Sequence, residues 1–187
     1  MSFIKQISVI LKAHPITRGI LSYSIIWPSG CFVQQLLWND DDEINWSKCL
    51  RFCMYGGLFV APTLYAWVRL STIMFPQPGV KSAIAKALIE QISYTPFAMT
   101  CFYFGMSLME GKNINEAAGE VKSKFLPTYK VALSVWPAVA FINFAMIPEK
   151  NRVPFISCCS LLWSTFLAYM KHLESETNFD KEKKIIS

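Results

Sequence analysis

Four amide side chains stand inside otherwise uncharged stretches of this chain: Gln34, Gln35, Gln91 and Asn143. Hydroxyls accompany them at Thr100, Ser134, Ser164 and Thr165. Groups of this kind neither attack nor transfer protons readily, but they hydrogen-bond. In hydrocarbon a polar side chain is costly unless it faces another helix or water. Two uses therefore compete for each amide: hydrogen-bonded glue between helices, or the lining of an aqueous path. Asn143 follows Trp136 by seven residues, and seven steps of about 100° return to nearly the same helix face. The two should share one seam, with Pro137 bending the helix near its start.

Catalytic chemistry has little to work with. The histidines, His14 and His172, lie outside the uncharged stretches, and there is no phosphate-cradling glycine loop, His-Glu-x-x-His or Gly-x-Ser-x-Gly. Cys49 and Cys53 are one helical turn apart, yet no histidine or second cysteine pair completes a tetrahedral metal set. The six cysteines have no disulfide-framework spacing and read as buried thiols. The expectation is a protein that is not an enzyme and needs no cofactor or metal.

What positions these groups follows from the distribution of charge. The 187 residues are 53% hydrophobic and only 17% charged, where soluble domains average about 25%. Residues 19–39, 52–68, 91–109, 131–148 and 153–170 contain no Asp, Glu, Lys or Arg, and each run is 17 to 21 residues long. A helix needs roughly 17–25 residues to cross a bilayer core. One uncharged run could be the buried helix of a large soluble protein, but five in this length leave no solvent-facing helices to hide them. The expected fold is all-α: a multi-span integral membrane bundle of four to five transmembrane helices with amphipathic interfacial helices, forming a single domain over 1–187.

The connecting segments refine that picture. Residues 1–18 make a basic amphipathic helix with Lys5, Lys12 and Arg18 and no acid before Asp40; it suits either a mitochondrial targeting element or a helix lying on the membrane surface. Pro28 and Gly30 should kink the first span. The acidic run Asp40 to Glu43 marks an exposed turn before a helix capped near Asn45 or Ser47. Gly56 and Gly57 permit close helix contact. An amphipathic stripe from Val80 to Leu88 leads into the third span, with a kink at Pro96. Asn113 and Glu116 resemble a capping box that opens a short interfacial helix ending before Pro127. Glu149 to Arg152 would join the last two spans in a tight hairpin, and 171–187 forms a frayed polar tail. Lys and Arg divide almost evenly between the two sides of such a bundle, so orientation cannot be read from them. They form no dense patch interleaved with aromatics, so the bilayer, and no nucleic acid directly, is the expected partner.

One region is specific in type and spacing. Val135-Trp136-Pro137-Ala138-Val139, then Asn143-Phe144, Ile147-Pro148, Arg152 and Trp163, resembles the C-terminal signature of the Mpv17/PMP22 family of mitochondrial and peroxisomal membrane proteins. Further similarity runs through His14-Pro15, Gln34-Gln35, Gly57 with Phe59-Val60 and Pro62, Trp67, Phe75-Pro76, Gln91 and Pro96. The resemblance implies a weakly selective, gated channel for ions or small solutes, contributing to mitochondrial homeostasis and mitochondrial DNA maintenance. It also implies the mitochondrial inner membrane, with the peroxisomal membrane as the alternative. Five short helices enclose little space, so a homo-oligomer is a further expectation. A non-conducting scaffold that binds lipids or proteins through Gly56 and Gly57 is the competing function. Family members carry a Gly-Asp pair shortly before the glutamine of span one; here Ser29-Gly30-Cys31-Phe32-Val33 holds no carboxylate.

Overall fold

The computed structural model describes the backbone of residues 15–38 and 43–186, and the side chains of 16–38, 43–143, 146–148 and 155–173. The basic segment before Pro15 and the acids Asp40 to Asp42 lie outside the described residues. Everything described is helix or short connection, with no strand among the described residues. Helix α1 spans Pro15–Trp38. Helix α2 (Trp46–Tyr55) passes through a π-helical turn at Gly56–Val60 into α3 (Ala61–Met74) without a break. Then come α4 (Val80–Ile92), α5 (Tyr94–Met109), α6 (Ile114–Ala145) and α7 (Glu149–Ile186).

Local chemistry explains most of the boundaries. Pro15 opens α1, where a missing N–H leaves nothing unsatisfied. Asn45 caps α2, its side chain accepting from the Lys48 N–H at 2.9 Å. Gly79 and Gly111 carry φ of +129° and +84° at the turns into α4 and after α5, a region other residues rarely adopt. The Asn113 and Glu116 side chains reciprocally cap the start of α6, at 3.0 and 2.8 Å.

Three boundaries differ from expectation. The bend before α5 falls at Ser93 rather than Pro96: a proline ring clashes with the carbonyl four residues earlier, here Ile92, and it is there that α4 ends. The helix begun at Ile114 does not stop before Pro127 but continues through Pro127 and Pro137 to Ala145. One buried line, Ala117, Glu120, Lys124, Thr128 and Ala132, crosses the first proline and stays on the same face, so packing overrides the local breaker. The final turn is Met146 to Pro148, and Glu149 to Arg152 form the first turn of α7, which runs on through the expected polar tail to Ile186.

Helix α1 is the organising element, packing on α7, on α2 and on the π turn. It can come close because the facing residues are small. A Cβ placed on Gly56 would lie 2.7 Å from both Trp27 Cγ and the Tyr23 carbonyl oxygen, and one on Gly57 would collide with Ser24 Oγ. Trp27 anchors the core, 5.4 Å from Tyr55 and 5.6 Å from Phe102 between ring centroids, with Phe52 5.8 Å from Phe102.

Polarity is distributed as it is in lipid. Gln34, Gln35, Gln91 and Asn143 are all buried, whereas Leu58, Ile73 and Leu162 are 70% or more exposed. Two continuous helices, Trp46–Met74 and Ile114–Asn143, are long and apolar enough by length and composition to cross a membrane.

Candidate functional site

The polar side chains of the interior fall into three places. At the end of α1, Gln35 clamps the backbone of Asn45: its Oε1 accepts from the Asn45 N–H at 2.6 Å, and its Nε2 donates to the Asn45 carbonyl at 3.4 Å and the Cys49 sulfur at 3.2 Å. The amide thus pins α1 to the cap of α2. Gln34 Oε1 accepts from Lys48 Nζ at 2.8 Å, while Gln34 Nε2 has no partner. In the stretch Ser29 to Val33, Cys31 is fully buried and Gly30 lies against α7, where a Cβ would sit 2.7 Å from the Thr165 nitrogen.

The second place is a cavity of about 320 Å³ between α1, the α2–α3 helix, α4–α5, α6 and α7. Its walls are largely aromatic and aliphatic, including Tyr23, Trp27, Phe102, Trp136 and Trp163. Trp136 and Trp163 meet edge to face at 5.7 Å, so two residues of the C-terminal signature brace α6 against α7. The polar lining comes mainly from α4 and α5. Glu90 Oε2 accepts from Trp67 Nε1 at 3.2 Å, and Tyr94 shares a 3.0 Å hydrogen bond with Thr63. Gln91 is 3% exposed, yet its Oε1 has no hydrogen-bond partner. Its backbone carbonyl accepts from Tyr129 at 2.7 Å, tying α4 to α6.

Trp136, Val139 and Ala140 line the cavity from one face of α6. Asn143 continues that face beyond the lining; it is buried, and its Oδ1 has no partner. Pro137 is half-buried and Ala138 and Pro148 are exposed, while the side chains of Phe144 and Arg152 lie outside the described residues. The structure therefore gathers Gln91, Trp136 and Trp163 around one cavity, with Asn143 on an adjoining seam. Gln34 and Gln35 belong to the α1–α2 junction instead.

The third place was not anticipated from the sequence. Glu120, 1% exposed, receives Lys171 at 2.5 Å, Lys112 at 2.9 Å and Lys124 at 3.3 Å, and the Ser107 hydroxyl donates to it. Lys171 also reaches Glu110 at 3.0 Å. This network joins α5, α6 and α7 near the Gly111 turn. Thr128 and Tyr103 extend it with a buried 2.6 Å hydrogen bond between α6 and α5. The signal was the i, i+4 spacing of Glu120 and Lys124 on the same line as Ala117 and Thr128. The apolar residues Val121 and Phe125 carry the more visible periodicity of this segment, and Lys171 opens the polar stretch 171–187.

The Ser107 hydroxyl, shared between Glu120 and Lys171, is held inside a buried charge network, and among the described residues no three His, Cys, Asp or Glu side chains converge as a metal set. What the three places offer is helix clamping, one partly polar cavity and a charged strut.

Residues 107–168 match the profile of the Mpv17 / PMP22 family. The chain is similar to an Mpv17-like protein of Xenopus laevis, at 31% identity over 86% of this chain and 79% of that one. It is similar to Protein SYM1 of Yarrowia lipolytica at 30% identity, covering 86% and 76% respectively. An Mpv17-like protein of Bos taurus is 30% identical over 83% of this chain and 78% of its own length. No solved structure matches the chain significantly.

Proposed function

Because the chain belongs to the Mpv17/PMP22 family of organellar membrane proteins, we propose that it is a gated, weakly selective channel for ions or small solutes. The observation that supports this reading is the cavity. It lies inside the bundle, is walled by every long helix, and carries a carboxylate and an unpartnered amide oxygen within an apolar lining. On this reading the chain crosses the bilayer four or five times, with α1, α5 and α7 added to Trp46–Met74 and Ile114–Asn143. On this reading the closed form is the one in which Trp27, Phe52, Tyr55 and Phe102 fill the bundle centre, as they do here. Opening requires the helices to shift around that aromatic plug. Pro28, Pro127, Pro137 and the π turn are places where regular α-helical hydrogen bonding is already interrupted. A homo-oligomer would supply further enclosed volume.

The protein acts in this reading as a non-enzymatic conduit of the mitochondrial inner membrane, with the peroxisomal membrane as the alternative. It contributes to mitochondrial homeostasis and to mitochondrial DNA maintenance through solute exchange rather than contact with nucleic acid. The scaffold alternative loses its named surface, since Gly56 and Gly57 are already covered by α1. Purified protein in planar bilayers should show discrete conductance steps; silence across voltages and redox conditions would overturn the channel. A fluorescent tag at the C-terminus reports the compartment.

A further inference from the structure

The cavity's polar lining has a sign. Glu90 forms no ion pair among the described residues, and its one hydrogen bond comes from the Trp67 indole. Beside it in the chain, Gln91 Oε1 is a buried acceptor with no donor. No Lys, Arg or His lines the cavity. An acceptor left unmet away from water is costly, and the Glu90 carboxylate, half-buried in an apolar wall, has no counter-charge beside it. The remaining walls present the rings of Tyr23, Trp27, Tyr55, Tyr94, Trp136 and Trp163. The faces of such rings attract cations.

From this we infer that the cavity is a binding site for a small organic cation, an ammonium group on a short apolar body. The ammonium donates to the Glu90 carboxylate and neutralises it, while the body lies against the aromatic walls. The other ligand classes fit less well. An anion would meet a carboxylate and no cation. A neutral hydrocarbon would leave the carboxylate without a counter-charge. A hard metal ion needs six or more oxygen ligands, and the wall supplies mostly carbon. About 320 Å³ falls at the small end of ligand pockets.

This inference rests on the reading of the cavity as part of the solute path, so binding must be measured apart from conductance. The probe is phenethylammonium, with 3-phenylpropionate as an anion of similar size, titrated calorimetrically into the full-length protein in lipid nanodiscs against empty nanodiscs. Saturable binding of phenethylammonium is expected, with 3-phenylpropionate bound at least tenfold more weakly. In Glu90→Gln, checked to melt with the wild type, affinity for the cation should fall at least tenfold. Equal affinity for the two probes, no cation binding beyond that of empty nanodiscs, or unchanged affinity in Glu90→Gln would overturn the inference. The comparison of cation with anion needs no variant, so misfolding of Glu90→Gln does not shelter it. Binding without conductance would overturn the channel alone, and conductance without cation selectivity in binding would overturn this inference alone.

Discussion

Replacing Glu120 by Gln is the sharpest test of how the interior charges hold α5, α6 and α7 together. The substitution keeps the shape and removes one negative charge from a residue 1% exposed. The lysines around it are not equally dependent on it. Lys112 is 32% exposed along its side chain and can turn to water. Lys171, only 2% exposed, cannot, but it keeps Glu110 at 3.0 Å. Lys124, 8% exposed, keeps the Lys171 carbonyl at 3.2 Å. Removing one partner of a buried ion pair typically costs 3–5 kcal/mol, and the contacts that survive here place the expectation at the lower end, about 3 kcal/mol. For a chain of this size that lowers the melting temperature by roughly 6–12 °C. The assay is thermal unfolding of purified protein in one mild detergent, followed by circular dichroism. Lys112→Ala is the internal comparison: a partly exposed ion pair is worth about 0–1 kcal/mol, so it should melt within a few degrees of the wild type. If Glu120→Gln melts like the wild type, or Lys112→Ala is equally damaging, buried charge pairing is not what joins these helices.

Gly56→Ala should destabilise by about 1–3 kcal/mol through overpacking against Trp27 and the Tyr23 carbonyl. Gly119→Ala, which meets nothing within 4 Å, should instead stabilise α6 by roughly 0.5–1 kcal/mol; melting curves of the pair decide both. Asn113→Ala removes the cap of α6 and should cost about 1 kcal/mol, with faster amide exchange confined to the first turn. Gln35→Leu unties the Asn45 backbone from α1 and should cost about 1–3 kcal/mol, exposing the α1–α2 connection to limited proteolysis.

Much of this architecture was legible because hydrocarbon punishes charge. Each uncharged run lies largely within helix, and the amides Gln34, Gln35, Gln91 and Asn143 turned inward, since outward they would be unsatisfied. The Asn113–Glu116 box was readable because capping is local. Tertiary effects were not. Pro127 carries a strong stop signal, yet α6 passes it because Thr128 and Ala132 prolong a line already buried against α5. Glu120 and Lys124 read as part of an interfacial helix and Lys171 as tail because burial of a charge depends on partners distant in sequence; Lys171 meets Glu110 and Glu120 across 61 and 51 positions. The cavity was equally invisible, being assembled from helices at both ends of the chain. Its Trp136 and Trp163 could be singled out by type and spacing, but the Glu90 carboxylate beside Gln91 looked like the polar side of an amphipathic stripe.

The π turn at Gly56–Val60 has a consequence for chain length. The Ala61 N–H bonds the Gly56 carbonyl five residues back, so this turn carries one residue more than an α-helix would. Phe52 before it, Gly56 and Val60 at its two ends, and Leu64 and Val68 after it face the same interior, as they would in a regular helix one residue shorter. The turn is therefore an absorbed insertion. Deleting one residue within Gly56–Val60 would leave both flanking faces in phase, whereas a deletion elsewhere in Trp46–Met74 would rotate all that follows by about 100°. Extra length stored at this point also lets the helix lengthen or shorten by one residue against α1 without turning its cavity wall away.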